Sequence, residues 1–269
     1  LTSLRTIRGF AFDLDGTIWA GPRLLPGAAE IVAAMRDAGL AVVFASNSSR
    51  KGATALAREL TRLGVPATAA EVVAAFDLTA AELLERVGPV PVLAIGTDDL
   101  SDSLADAGHT PIPPERWTEA RAVVVANDPM FDFGRLRAAS RAVAAGAAFF
   151  AVNLDARYPV SDGFDPGCGA LVEAVATASR VRPIVVGKPH PRLFEEAVAR
   201  LGCSAAEAAM VGDSQASDIV GGRAAGMFTV WVAPHEDVPA LVEPSLAVDG
   251  LPDLLRLWRE AAEGASSAR

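Results

Sequence analysis

Short apolar runs alternate with helix-length amphipathic segments along nearly the whole chain, and this alternation most narrows the fold. Residues 7–13 and 40–45 read as strands. Helices are expected over residues 26–38 and 50–63, with Pro26 at the first helical position and Gly39 and Gly64 as stops. Strand, helix, strand, helix at this spacing predicts a parallel sheet covered on both faces. The same grammar returns late. Strands are expected at 183–186, 208–211 and 227–232, and helices at 191–201, 215–225 and 254–262, with a tail fraying from Gly264.

Between these two stretches the alternation starts over. Helices are expected at 78–87, 100–107, 134–145 and 169–178, and strands at 92–95, 122–125 and 148–152. Pro111, Pro113 and Pro114 mark a turn-rich loop. About a hundred residues of separate α/β material imply an inserted second domain. The expected class is therefore α/β, with a parallel-sheet core formed by residues 1–76 and 183–269 and a second α/β domain over 77–182.

Composition allows one large core or two modest ones and excludes several partners. The chain has 269 residues, 51% hydrophobic and 21% charged, which excludes wholesale disorder. Its formal net charge is -9, from 24 basic and 33 acidic residues. No basic stripe exists to follow a nucleic-acid backbone. No run of 18 uncharged apolar residues exists, so no membrane span is expected. Arg5 and Arg8 interrupt the first apolar stretch and Asp13 follows it, which is not a signal-peptide pattern. Cys168 and Cys203 form no Cys-x-x-Cys pair. A reducing, cytoplasmic compartment is the simpler reading.

Four short segments carry chemistry. Phe12-Asp13-Leu14-Asp15-Gly16-Thr17 leaves the first strand at its carboxyl end, where ligands of open α/β sheets gather. Paired carboxylates there can hold a hard cation such as Mg²⁺. One can attack an electrophile while the other manages a proton. Alone, the segment also reads as a solvated Asp-Gly turn. Phe44-Ala45-Ser46-Asn47-Ser48-Ser49-Arg50 ends the second strand. Ser46 and Asn47 are its candidate phosphate ligands, although such clusters also cap helices with no ligand. Val186-Gly187-Lys188-Pro189 supplies one lysine, a point cation suited to phosphate or to a carboxylate nucleophile, and Pro189 favours an extended Lys188. Val211-Gly212-Asp213-Ser214-Gln215-Ala216-Ser217-Asp218 ends a later strand. Asp213 can complete a cation site with the first pair. Asp218 is better placed to orient a ligand or the lysine from behind.

Taken together, these loops predict a phosphate-and-metal site. Gly-x-x-x-x-Gly-Lys-Ser/Thr is absent, which disfavours a P-loop nucleotidase. The first strand-to-helix turn lacks a dinucleotide fingerprint, and no His-Glu-x-x-His or cysteine cluster supports zinc.

The order of Phe12–Thr17, Ser46, Lys188 and Gly212–Asp218 resembles the haloacid dehalogenase (HAD) superfamily of phosphatases. The closer resemblance is to its subfamily IIA with the larger α/β cap. That group includes p-nitrophenyl-phosphatase-like, N-acetylglucosamine-operon, phosphoglycolate and pyridoxal-phosphate phosphatases. Ser46-Asn47-Ser48-Ser49-Arg50 is similar to the family's Thr-Asn-Asn-Ser-x-Arg stretch, one residue short. Ala151-Val152-Asn153-Leu154-Asp155 resembles its Ala-Thr-Asn-Pro-Asp segment, and Pro166-Gly167-Cys168-Gly169-Ala170 its Pro-Gly-x-Gly turn. Ser214 stands where the family often has arginine, and Ala126-Asn127-Asp128 departs from its Gly-Phe-Asp-like segment.

The resemblance implies a Rossmann-like core with the inserted domain as a cap. It implies that Asp13 attacks phosphorus and forms an aspartyl-phosphate. Asp15 would protonate the leaving oxygen and then activate water. Mg²⁺ would bind Asp13, the main-chain carbonyl of Asp15 and Asp213, with Asp218 positioning its neighbours. Ser46 would hold a phosphoryl oxygen, and Lys188 would neutralise the nucleophile–phosphate pair. Asn153, Asp155 and Asp128 are the polar candidates for lining the cap cleft, and a substrate contact is conceivable for His190, which otherwise reads as a surface residue at a helix start. His109 and His235 read as loop residues, and Cys168 as a packing residue. A closing cap suits a small phosphorylated metabolite. The family also suggests a homodimer through the cap, though the chain shows no diagnostic interface pattern. Two other readings stay open: phosphoryl transfer to an acceptor other than water, and phosphometabolite binding without turnover.

Overall fold

The computed structural model describes residues 2–160, 163–232 and 240–266. His235 and the chain beyond Ser266 lie outside the described residues. The chain divides into two units, one of residues 1–46, 54–73 and 193–269, the other of 47–53 and 74–192. The loop 47–53 and the segment 183–192 thus group with the second unit.

The first unit is built on a six-stranded sheet. Along it lie Leu246–Val248, Phe228–Val232, Ala208–Gly212, Gly9–Phe12, Ala41–Ser46 and Val72–Ala74. Gly9–Phe12 pairs in parallel with Ala41–Ser46 on one side and Ala208–Gly212 on the other. All four of its residues are buried, as a strand covered on both faces requires. Phe10, Phe12 and Phe44 are fully enclosed, and truncating such a ring to alanine costs about 3–5 kcal/mol. In chain order the strands run outward on one side of Gly9–Phe12 and then outward on the other. The order therefore reverses between Gly9–Phe12 and Ala208–Gly212, the switch point where doubly wound sheets open a crevice at their carboxyl ends.

The helices of this unit follow the sequence with shifted ends. The first runs over Ala28–Asp37 and starts after Gly27, at φ 81°, two residues later than Pro26 suggested. The second, Ala53–Leu63, buries Leu56, Ala57 and Leu60 on one face. The expected helix over 215–225 is instead a π-helical turn, Gln215–Ile219, followed by Val220–Ala224. Here the Ser214 side chain accepts the Ser217 N–H, and the Ser214 carbonyl accepts the N–H of Asp218 at 2.9 Å. The last helix runs over Leu251–Ser266.

The second unit has its own five-stranded sheet. Its order is Ile184–Val185, Ala148–Ala151, Ala122–Val125, Pro91–Ile95 and Thr110–Ile112, with every pair parallel. Helices Ala75–Val87, Asp98–Asp106, Phe133–Ala144 and Cys168–Ser179 belong to the same unit. Both sheets bear out the α/β reading with an inserted cap subdomain. Residues 110–112 are a strand rather than the expected loop. It sits at the sheet edge, where Pro111 removes no ladder bond from a central strand. The hairpin Arg157–Val160 with Gly163–Pro166 is also new, because Pro159 and four charged or polar residues hide its period from the sequence. No helix among the described residues is long and apolar enough to cross a membrane.

Candidate active site

Two carboxyl ends of the first sheet bring the acids together. Asp13 follows Phe12 directly, is only 7% exposed, and donates its N–H to the Val211 carbonyl at 2.8 Å. That bond extends the ladder by one residue and places Asp13 beside the end of Ala208–Gly212, from which Asp213 emerges. The π-helical turn then turns Asp218 back, so that its Oδ2 accepts the Ser214 N–H at 3.1 Å. Carboxylate oxygens of Asp13, Asp213 and Asp218 all lie within 4.8 Å of one another.

Acids this close repel by about 3 kcal/mol a pair at an effective dielectric near 20. A divalent cation offsets that repulsion, and an all-oxygen set of carboxylates suits Mg²⁺ rather than a soft metal. Backbone shape supports the fit. A Cβ on Gly16 would come within 2.2 Å of Asp213 Oδ2, and one on Gly212 within 2.2 Å of Asp218 Oδ2. Both carboxylates rest against bare backbone, which only glycine leaves free. A divalent cation, Mg²⁺, is therefore the cofactor these residues are built to hold. The carboxylate of Asp218 is a member of this cluster. The Asp15 carboxylate is not a member of the cluster.

Asp15 is exposed and lies on the turn that leaves the first strand. The Trp19 indole N–H donates to its Oδ1 at 2.8 Å, and Gly16 N–H to the Trp19 carbonyl at 2.8 Å. A tryptophan four residues after an acid carries no general signal in a sequence, so the partnership of Trp19 with Asp15 is visible only in the fold. Ser46 is the last residue of its strand and is buried. Phe12 pairs with Phe44, so Asp13 and Ser46 leave neighbouring strands at the same edge.

Lys188, Asn47, Asn153 and Asp155 come together in the second unit. Lys188 is 3% exposed, and its peptide bond to Pro189 is cis. Its backbone N–H donates to Asn47 Oδ1 at 2.7 Å, and Asn47 Nδ2 donates to its carbonyl at 3.2 Å. Asn47 Nδ2 also lies 3.4 Å from Asp155 Oδ2. Asn153 Nδ2 donates to the Asn47 carbonyl at 2.5 Å, while Asn153 Oδ1 accepts the Asp155 N–H at 3.0 Å.

The remaining candidates sit differently. The buried Asp128 carboxylate pairs with Arg135 and accepts the Met130 N–H at 2.9 Å. His190 is exposed. His109 lies in the loop before Thr110–Ile112 and is buried there, with Nε2 at 3.2 Å from the Ala80 carbonyl. Cys168 is buried, its thiol donating to the Val125 carbonyl at 3.4 Å, and burial pushes it up to about 12. A thiol so protonated is no nucleophile.

Known proteins resemble this chain in sequence and fold. A family model described as "Haloacid dehalogenase-like hydrolase" matches residues 10–110, and a second HAD-hydrolase-like model matches 185–254. Human chronophin is 37% identical over 236 residues, covering 83% of this chain and 80% of that protein. The p-nitrophenyl phosphatase from Archaeoglobus fulgidus superposes with a TM-score of 0.86 at 27% identity, over 93% of this chain and 99% of the other. Glycerol phosphate phosphatase from Mycobacterium tuberculosis, solved in complex with magnesium, gives 0.84 at 31% identity, over 94% of this chain and 77% of the other. With the acid cluster placed at the switch point of a doubly wound sheet and likeness of this extent, the chain belongs to the haloacid dehalogenase-like hydrolases.

Proposed function

We propose that this Mg²⁺-dependent phosphoester hydrolase acts on a small phosphomonoester, with the first unit as catalytic core and the second as cap. The observation that carries the reading is the meeting of Asp13, Asp213 and Asp218 within 4.8 Å at the sheet's switch point.

Asp13 is the nucleophile. Its carboxylate attacks phosphorus in line, the alcohol leaves, and an aspartyl-phosphate remains until water cleaves it. Asp15 gives its proton to the leaving oxygen and then takes one from the attacking water. The indole of Trp19 fixes the orientation of Asp15, which supports this role. Ser46 holds a phosphoryl oxygen. Lys188 serves as the cation that neutralises the nucleophile–phosphate pair, where electrostatic help is worth most. Mg²⁺ would be held by Asp13, Asp213, Asp218 and the main-chain carbonyl of Asp15, and would supply positive charge against the repulsion between a carboxylate and a phosphate dianion.

Phosphate release from a panel of small phosphomonoesters tests this reading, with and without a chelator. Turnover should require Mg²⁺ and should be restored when the ion is returned. Tight binding of the panel with no turnover would instead support a binding module, and phosphorylated acceptor in place of free phosphate would support transfer.

Two further elements belong to the proposal. The chain forms a homodimer through the cap, a reading supported by Met130 and Phe133, which are 72% and 76% exposed in the second unit. Sedimentation of the wild type against Phe133→Asp tests it. The protein is cytoplasmic, which its free thiols Cys168 and Cys203 support. Fractionation of cells tests that.

A further inference from the structure

Asn47 follows Ser46 and reads in the sequence as a second phosphate ligand. Its side chain is engaged elsewhere. A primary amide offers two N–H donors and one acceptor oxygen. The oxygen takes the Lys188 N–H at 2.7 Å. The nitrogen faces the Lys188 carbonyl at 3.2 Å and Asp155 Oδ2 at 3.4 Å. These partners also fix which end is which, since a flipped amide would set N–H against N–H and oxygen against oxygen. The amide thus grips both polar groups of one residue, as a neighbouring strand would.

The grip is backed on both sides. Asn153 holds the Asn47 carbonyl at 2.5 Å, and the Gly187 N–H donates to the Val152 carbonyl at 2.8 Å. A Cβ on Gly187 would come within 2.6 Å of both Asn47 Oδ1 and the Val152 carbonyl oxygen, so the backbone before Lys188 is closed in. A lysine ammonium rides on a flexible four-carbon stem. Fixing the root of that stem narrows where the charge can go, which is what preorganised electrostatic catalysis needs.

We infer that Asn47 is a positioning residue for Lys188, acting through the lysine backbone and not on the phosphoryl group. The inference rests on Lys188 serving the reaction as described above. It also means that the loop 47–53 and Lys188 are held as one piece within the second unit.

A double-mutant cycle separates the roles. Turnover of p-nitrophenyl phosphate with Mg²⁺ is measured for the wild type, Asn47→Ala, Lys188→Ala and the double variant, each checked for a folded thermal transition. Lys188→Ala is expected to lose about a hundredfold or more in kcat/KM, and Asn47→Ala about tenfold or more. The double variant is expected within about threefold of Lys188→Ala, because a fixed root is worthless without its ammonium. Losses that multiply would overturn the inference, as both an independent phosphate ligand and a general structural role predict them. An unchanged Asn47→Ala would overturn it too. Full activity of Lys188→Ala would defeat the underlying reading of the lysine, a distinct result. If Asn47→Ala does not fold, Asn47→Asp keeps the acceptor for the Lys188 N–H but loses both donors, and its loss must likewise vanish without the lysine. If neither folds, Asn47 is a folding residue and the inference fails.

Discussion

Trp19 donates its indole N–H to Asp15 Oδ1 at 2.8 Å, across a turn whose own backbone closes between Gly16 and Trp19. The bond leaves one oxygen of an exposed carboxylate anchored and directs the other. A hydrogen bond to a charged group contributes about 1.5–3 kcal/mol. Trp19→Phe keeps most of the packing and removes the donor. Its kcat should fall about tenfold or more with KM little changed. Steady-state kinetics check this, and a loss confined to KM would contradict the assignment of Asp15 to proton transfer.

Gly212 gives a steric test of the acid cluster. Its φ is not in the left-handed region, so alanine fits the backbone there. Its Cβ would nevertheless meet Asp218 Oδ2 at 2.2 Å and push the carboxylate away from Asp13 and Asp213. Gly212→Ala should raise the Mg²⁺ concentration needed for half-maximal turnover by about tenfold or more. Asp218→Asn, which keeps the shape and removes the charge, should move it in the same direction. Titration of activity with Mg²⁺ reads both, and an unchanged requirement would remove Asp218 from the site.

Cys168 should be inert. Burial pushes its thiol up to about 12, so almost none is thiolate at pH 8 in the folded chain. The raised value favours the neutral thiol across the whole neutral range, and only above about pH 12 does the native thiol ionise. Iodoacetamide at pH 8 should therefore spare Cys168 until the chain is unfolded by denaturant. Peptide mapping checks this, and rapid labelling of Cys168 in the native protein would contradict the burial.

Much of this fold was legible because its signals are local. Apolar runs closed by glycine located the main strands and helices, and acids just past strand ends located Asp13 and Asp213. What the sequence hid depends on distant partners. The strand Thr110–Ile112 contains Pro111 and exists because it lies at an edge beside Pro91–Ile95. Asp218 reaches the cluster from a π-helical turn in place of the expected α-helix, with Ser214 accepting the Ser217 N–H at its start and the bare backbone of Gly212 against the Asp218 carboxylate. Asn47 adjoins Ser46 and reads locally as a phosphate ligand, whereas only the fold brings Lys188, 141 residues later, against its amide.

The central claim is that the Asp13 carboxylate attacks phosphorus. Its most direct test is the rate of phosphate release by Asp13→Asn with saturating Mg²⁺ and p-nitrophenyl phosphate. An amide of the same shape is no nucleophile, and the rate should fall at least about a thousandfold while the thermal transition remains cooperative. A folded Asp13→Asn protein that releases phosphate within about tenfold of the wild type would mean that water attacks directly, and would contradict the account.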